Sequence, residues 1–167
     1  MAGHYFDYRI YILPILEYCS TCWLPNKTQG KQLESIQKRM IAIVCRRLGM
    51  DDLPYNIQLR LLSWKSLKHR RLLLLMRQFK SEMDSNSLTD DITILTNARR
   101  GINLTCNYPR LIKFHRFNTF SIVNFFNSLP REMRNSIYSS NFLILVDNYL
   151  EFEGSQQVMW YLATSAK

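Results

Sequence analysis

The sequence lacks a long uninterrupted hydrophobic run. The nearest candidate is residues 10–24, where Pro14 and Glu17 interrupt the apolar residues, whereas about 20 mostly apolar residues are needed to cross a bilayer. No stretch has the form of a secretory signal either. We therefore expect an intracellular protein, in the nucleus or the cytoplasm, with no membrane partner.

Cysteines are few, and their spacing does not predict a metal site. Cys19 and Cys22 form a single Cys-x-x-Cys pair in an apolar stretch, while Cys45 and Cys106 stand apart. A zinc site would need a second pair of ligands at a similar spacing. We therefore expect no metal, no cofactor and no disulfide. The thiols are predicted to be buried and to act as small hydrophobic groups.

Patterns for enzymatic chemistry are also missing. The sequence has no glycine-rich phosphate-binding loop and no Ser-His-Asp pattern. Asp51 and Asp52 invite comparison with the paired carboxylates of nucleotidyl-transfer sites. Such a site needs the pair on a β-hairpin together with a third carboxylate, whereas this pair stands between two predicted helices. We therefore expect no catalytic residue.

The charge that is present is mostly positive and is concentrated in two blocks. Lys and Arg total 22 against 13 Asp and Glu, for a net charge of +9. Residues 27–80 contain thirteen cations and three acids, a net charge of +10, and residues 97–134 contain seven cations and one acid, a net charge of +6. Two basic blocks indicate a polyanionic partner. Chance clustering on solvated helix faces would give the same counts.

Apolar periodicity predicts a mainly α-helical fold. Residues 4–23 are predicted to form a buried helix with a break at Pro14, and residues 51–62 a shorter helix. An irregular segment or short β-hairpin is expected near residues 99–113, followed by two C-terminal helices. The predicted organisation is a helical bundle at residues 1–83, an acidic loop or linker at 84–98, a C-terminal extension at 99–152 and a tail at 153–167.

The central element of the bundle is a predicted helix from about Lys27 or Lys31 to Leu48, closed by a left-handed cap at Gly49. Helical periodicity gives it one apolar face, made of Leu33, Ile36, Met40, Ile43, Val44 and Leu48. Four cations lie on the other face, and only Arg47 breaks the division. They are Lys31, Lys38, Arg39 and Arg46. Such a face attracts phosphate, although an ordinary solvated helix shares the pattern.

Two further groups of cations are candidate nucleic-acid-binding residues. On a long helix predicted from Ser66 to Met83, Arg70, Arg77 and Lys80 lie away from the apolar stripe. The other group comprises Arg110, Lys113 and Arg116, interleaved with Tyr108, Phe114 and Phe117. Aromatic rings in such a group can stack on unpaired bases, but aromatic residues at this spacing are more typical of a core.

Three ordered stretches of the chain carry a recognisable set of motifs. The first is PILEYCSTCW at residues 14–23, with Pro25 and with LESIQKR at residues 33–39. The second is LLSWKSL at residues 61–67 with Arg70-Arg71, and the third comprises Asn118-Thr119-Phe120, FNSLP at residues 126–130 and Ser140-Asn141-Phe142. This set resembles reverse transcriptases of non-LTR retrotransposons of the jockey and CR1 type. Cys19 departs from the family, which usually has glycine there, and Phe126 replaces a usual tryptophan.

The resemblance implies a specific part of such an enzyme. The chain would be the thumb and C-terminal extension of the RNA-directed DNA polymerase of a transposable element, a fragment without the fingers, the palm or the catalytic aspartates. It would bind RNA or an RNA/DNA hybrid non-specifically, by gripping the phosphates of template and primer. The missing palm and fingers would be its protein partners, and the chain alone would not polymerise DNA. The alternative is a helical protein-interaction module or an inert truncated product.

Overall fold

The computed structural model confirms the predicted fold class, because it is mainly helical and contains one short antiparallel hairpin. It describes residues 8–22, 25, 27–50, 52–87, 92–106 and 117–152. The chain divides into two compact units. The first contains the described residues of 1–18, 25–70 and 149–167, and the second those of 19–24 and 71–148. The predicted organisation into a bundle, a linker at residues 84–98, an extension and a tail stays a prediction.

The N-terminal helical segment is shorter and less buried than predicted. A π-helical turn, Tyr8–Ile12, leads into helix α1, Leu13–Glu17, and residues 18–22 form turns. Pro14 lies in the first turn of α1, where its missing N–H costs no hydrogen bond, so it begins this helix rather than breaking a longer one. The prediction of a buried helix over residues 4–23 is therefore wrong within the described range.

Helix α2, Lys27–Arg47, is the predicted central helix. Its C-terminus confirms the glycine cap, because Gly49 has a φ of +67°. The Gly49 N–H donates to the Arg46 carbonyl at 3.2 Å and the Met50 N–H to the Cys45 carbonyl at 2.9 Å. These two bonds satisfy carbonyls that would otherwise lack partners at the helix end.

The buried face of α2 agrees only in part with the predicted one, in which Leu33 and Met40 do pack against the core. Gln37, Ile41 and Cys45 are almost fully buried, whereas Ile36 and Ile43 are 39% and 45% exposed. Adjacent residues on a helix are about 100° apart, so the packed face is rotated by about one residue position. The prediction used hydrophobicity alone, and it placed the polar Gln37 outside the core.

Two helices follow in the chain. Helix α3, Tyr55–Leu61, begins after Pro54 and not at the predicted Asp51, which lies outside the described residues. Helix α4, Leu67–Asp84, begins as predicted, because the His69 N–H donates to the Ser66 hydroxyl at 3.2 Å in an N-terminal cap. The boundary between the two units falls inside α4, after Arg70.

The core of the first unit packs around an aromatic pair. The rings of Tyr8 and Trp64 are stacked with centroids 4.6 Å apart. Leu13, Leu16 and Leu67 are buried beside them. A neighbouring cluster joins α2 to α3 through Ile41, Cys45 and Leu59.

The hairpin of the second unit begins earlier than predicted. Strands β1, Ile92–Asn97, and β2, Gly101–Cys106, pair antiparallel with Ile92 opposite Cys106. The prediction of a loop throughout residues 84–98 is therefore wrong, because the isoleucines of β1 alternate with polar residues as in a half-buried strand. Residues 107–113 of the predicted segment lie outside the described residues.

Three helices follow the hairpin, and the boundary after residue 148, at which the first unit resumes, falls inside the last of them. Helix α5 is Phe117–Ser128, and the short α6, Arg131–Asn135, was not predicted. The predicted last helix, α7, is described from residue 142 to 152. The core of the second unit contains Phe126, whose ring centroid lies 5.9 Å from that of Phe79 and 6.2 Å from that of Phe142. No helix of the described ranges is both long and apolar enough to span a membrane.

Candidate nucleic-acid interface

The four predicted cations of α2 lie on one exposed face, which we call the basic face: Lys31, Lys38, Arg39 and Arg46. At 1.5 Å and 100° per residue, this face spans about 22 Å along the axis and about 100° around it. None of its members forms an ion pair with a carboxylate of the described residues. No described carboxylate therefore neutralises these four charges.

Tyr55 of α3 contacts both the single acidic residue of α2 and one of these cations. The Tyr55 hydroxyl donates to Glu34 Oε1 at 2.6 Å, and Lys38 Nζ lies 5.0 Å from the centroid of the Tyr55 ring. Glu34 and Lys38 are four residues apart, which is the spacing at which helical side chains of opposite charge pair. Tyr55 engages the carboxylate in a hydrogen bond and the ammonium in a cation–π contact instead.

The tyrosines beside Glu34 remain protonated at neutral pH. Burial and the hydrogen bond to Glu34 raise the pKa of Tyr55 well above its usual value of 10.0. Burial, followed by the charges of Glu34 and Glu17, raises the pKa of Tyr8 to about 12. The Tyr55 phenol therefore stays a hydrogen-bond donor to Glu34 throughout the physiological range.

Arg70 pairs with Glu17 and does not belong to a free basic face, while its role in binding nucleic acid stays a prediction. Its Nη2 donates to Glu17 Oε2 at 2.9 Å, and its Nε contacts the other oxygen of the same carboxylate. This two-point pair joins the start of α4 to the end of α1, and the hydrogen bond to Glu17 raises the pKa of Arg70. The guanidinium is therefore a structural link within the first unit.

Of the other two predicted cations on α4, one is also engaged. Lys80 Nζ lies 2.5 Å from Asp84 Oδ1, and the lysine side chain is only 12% exposed. Arg77 is exposed and has no ion pair with a described carboxylate. The predicted basic face of α4 is therefore reduced to Arg77, because an acid one turn later neutralises Lys80.

The third predicted group lies outside the described residues. It comprises Arg110, Lys113 and Arg116 with Tyr108 and Phe114; Phe117 opens α5, and its side chain is not described. Their role in binding nucleic acid stays a prediction.

Charge counting missed a distinction among the other arginines of the second block. Arg99 and Arg100 are exposed in the turn between β1 and β2, where the Arg99 N–H donates to Asn97 Oδ1 at 2.9 Å. Arg131 and Arg134 instead donate to backbone carbonyls of the hairpin. Arg131 and Arg134 therefore help to hold the hairpin, whereas the turn-forming Asn-Ala-Arg-Arg-Gly run was a signal for the exposed pair Arg99 and Arg100.

The cysteines are placed differently from the prediction of buried thiols. Cys45 is buried, but Cys19 and Cys22 are exposed in the turn that follows α1. The reason is that α1 ends at Glu17 and does not continue through these residues. Within the described ranges, no group of three or more His, Cys, Asp or Glu side chains lies close enough together to hold a metal ion.

The chain was compared with known proteins. No family model, no curated protein and no solved structure matches it.

Proposed function

We propose that this protein binds nucleic acid non-specifically, RNA or an RNA/DNA hybrid, through the basic face of α2. The observation that carries the proposal is the pairing of Tyr55 with Glu34. Tyr55 binds the one acid of the helix, and the four exposed cations have no described counter-ion. Contacts of this kind reach phosphates without reading bases.

The dimensions of the basic face suit a nucleic-acid backbone. Its cations repeat along about 22 Å of helix, and successive phosphates of a strand rise about 3.4 Å along a B-form axis. Several phosphates of one strand therefore fall within reach of the four long side chains. With about four phosphate contacts, log K against log salt should have a slope of about −2.8 to −3.6.

Contacts between the separated motifs support the proposed origin in a reverse transcriptase thumb. Glu17 of the first motif pairs with Arg70 of the second. The buried Gln37 amide donates to the Lys65 carbonyl at 2.9 Å, which ties the helix motif to the junction before α4. Residues quoted for one resemblance therefore interlock within the first unit, as expected if they were selected together.

Two further features fit this origin. Cys19 has a φ of +53°, in the left-handed region that glycine adopts at no steric cost, and the family usually has glycine there. In the FNSLP motif, Phe126 and Leu129 are buried and Asn127 bonds to the backbone of Leu104. Glycine at position 19 in the family and the FNSLP motif therefore each have a structural explanation.

An exposed apolar surface supports a missing protein partner. Tyr11, Ile15 and Tyr18 are 66%, 74% and 78% exposed on the N-terminal helical segment. Neighbouring large apolar side chains left in water commonly mark an interaction site. In the proposed parent enzyme the palm would precede this segment and could cover it, and the chain alone would not synthesise DNA.

The test is a pair of matched charge reversals. Arg39→Glu/Arg46→Glu changes the basic face, and Arg60→Glu/Lys68→Glu makes the same change of net charge at exposed cations elsewhere in the first unit. In fluorescence anisotropy with a labelled RNA/DNA hybrid, the first variant should bind at least tenfold more weakly at low salt. Its salt slope should also fall by about 1.4 to 1.8.

The control variant and circular dichroism decide how that result is interpreted. Arg60→Glu/Lys68→Glu should keep most of the affinity, and both variants should keep the helical spectrum of the native chain. Equal losses in the two variants would mean that only net charge matters, which contradicts the assignment to the basic face. Undetectable binding by the native chain at low salt would refute the function itself.

A protein-interaction module is the second candidate, favoured by one observation. Ile36 and Ile43 are exposed on α2 beside the basic face. If α2 served mainly to dock a protein, Ile36→Gln/Ile43→Gln would abolish that docking, and the chain would show no salt-dependent retention on nucleic acid. Under the nucleic-acid proposal, the same variant retains its affinity for the hybrid.

A further inference from the structure

The turn after α1 brings two thiols together at the protein surface. The Cys22 N–H donates to the Cys19 carbonyl at 2.8 Å, and both side chains are exposed. A four-residue turn holds its end Cα atoms within about 7 Å, and a disulfide needs about 4.4 to 6.8 Å. The backbone therefore already has the closure that a Cys-x-x-Cys disulfide requires.

We propose that Cys19 and Cys22 are a reversible oxidation site, at which a peroxide converts the two thiols into an intramolecular disulfide. The site is separate from the basic face, and the inference does not depend on the proposed function. The other cysteines differ in placement, because Cys45 is fully buried and Cys106 is partly buried in β2. Oxidation should therefore be selective for the turn.

The chemistry balances with hydrogen peroxide as the oxidant. The Cys22 thiolate attacks one peroxide oxygen, the O–O bond breaks, and a sulfenic acid and hydroxide form. The Cys19 sulfur then attacks the Cys22 sulfur, the S–O bond breaks, and the departing hydroxide takes the proton from Cys19. Two thiols and one hydrogen peroxide give one disulfide and two waters.

The same steps apply with the two residues exchanged, because both thiols are exposed. In either order the second cysteine acts as the resolving thiol at short range. The disulfide closes a short loop, so it restricts the unfolded chain only slightly and adds little to the free energy of unfolding. Because the disulfide is exposed, thiol reductants can reach it.

The test uses the whole chain and a tryptic peptide that isolates the pair. Cleavage after Arg9 and after Lys27 releases residues 10–27, which contain Cys19 and Cys22 and no other cysteine. After hydrogen peroxide and then iodoacetamide, this peptide should be unalkylated and two hydrogens lighter than the dithiol. If the oxidised chain is treated with dithiothreitol before iodoacetamide, both cysteines of the peptide should be alkylated. Full alkylation after peroxide, or disulfide-linked dimers instead of the closed peptide, would overturn the proposal.

Variants and a denatured control test the mechanism. In Cys19→Ser the sulfenic acid on Cys22 has no resolving thiol, so dimedone should label residue 22. In Cys22→Ser dimedone should likewise label Cys19, because its sulfenic acid has no resolving thiol either. When the whole chain is unfolded in guanidinium and the turn is lost, the disulfide between Cys19 and Cys22 should form several-fold more slowly. An unchanged rate there would refute the role of the folded turn.

Discussion

Two regions of the molecule, the basic face of α2 and helix α6, use their arginines in opposite ways. In the first unit, Tyr55 binds the only acid of α2 and leaves Arg39 and Arg46 exposed. In the second unit, Arg134 bonds to the Ile102 and Arg100 carbonyls and Arg131 to the Ala98 carbonyl. Charge alone does not separate an arginine that is available to a phosphate from one that completes a fold, but the nearest acceptor does.

The arginines of α6 help to satisfy the backbone of the hairpin. Asn127 accepts from the Leu104 N–H at 2.9 Å and donates to the Leu104 carbonyl at 2.8 Å. Asn135 Oδ1 accepts from the Ile102 N–H at 3.1 Å. Together with Arg134, these side chains of α5 and α6 take the place of a third strand along the outer side of β2, where a backbone group without a partner would cost free energy.

The largest expected effect is in the core of the second unit. Phe126→Ala removes a fully buried ring and should lower the free energy of unfolding by about 3 to 5 kcal/mol, measured by urea denaturation. Tyr138→Ala is the control, because Tyr138 is 65% exposed, and its effect should stay within about 0.5 kcal/mol. Equal effects would show that Phe126 does not pack as described.

The contrast between the two kinds of arginine gives the next prediction. Arg134→Ala removes the donor to two carbonyls and should cost about 1 to 3 kcal/mol of stability, with nucleic-acid binding unchanged at native temperature. Arg46→Ala should do the reverse, with stability within about 0.5 kcal/mol and weaker binding. Thermal denaturation and anisotropy on both variants measure the two quantities. If both variants changed stability and binding in the same way, the distinction between the arginines of α2 and those of α6 would not hold.

Tyr55→Phe sharpens the electrostatic part of the comparison. The variant loses one hydrogen bond, worth about 1 kcal/mol, and frees Glu34 to pair with Lys38. Affinity for an RNA/DNA hybrid should therefore fall about two- to fivefold at low salt, because one of the four contacts is neutralised, and the salt slope should fall by up to about 1. An unchanged affinity would mean that Glu34 does not compete for Lys38.

The smallest effect is expected at Tyr8, whose buried hydroxyl has no hydrogen-bond partner among the described residues. Tyr8→Phe should leave stability at pH 7 unchanged or raise it by up to about 1 kcal/mol. The native chain should lose stability between pH 10 and about 12, since Tyr8 ionises at 10.0 when unfolded and at about 12 when folded. The variant should lose less over this window, and identical pH profiles would contradict the burial of the phenol.

Much of the fold could be predicted from periodicity and capping residues. Gly49 and Ser66 delimit helices where the sequence places them. The rotation of α2 could not be predicted, because Gln37 is buried by its bond to the Lys65 carbonyl, 28 residues away. The short α6 has too few residues to show a period.

The candidate site could be predicted only in part. Exposed cations on α2 follow from the sequence pattern, since a charged side chain without a partner stays in water. The ion pair that engages Arg70 could not be foreseen, because its partner Glu17 is 53 residues away. The role of Tyr55 depends on how α3 packs against α2, which no local pattern encodes.

The side chains along the outer side of β2 also affect how copies of this protein behave toward one another. A bare strand edge is a template to which a strand of another molecule can add, and repeated addition produces fibrils. Asn127, Asn135 and Arg134 occupy the groups that such an incoming strand would need. The second unit therefore carries a built-in guard against self-association on that side of its hairpin.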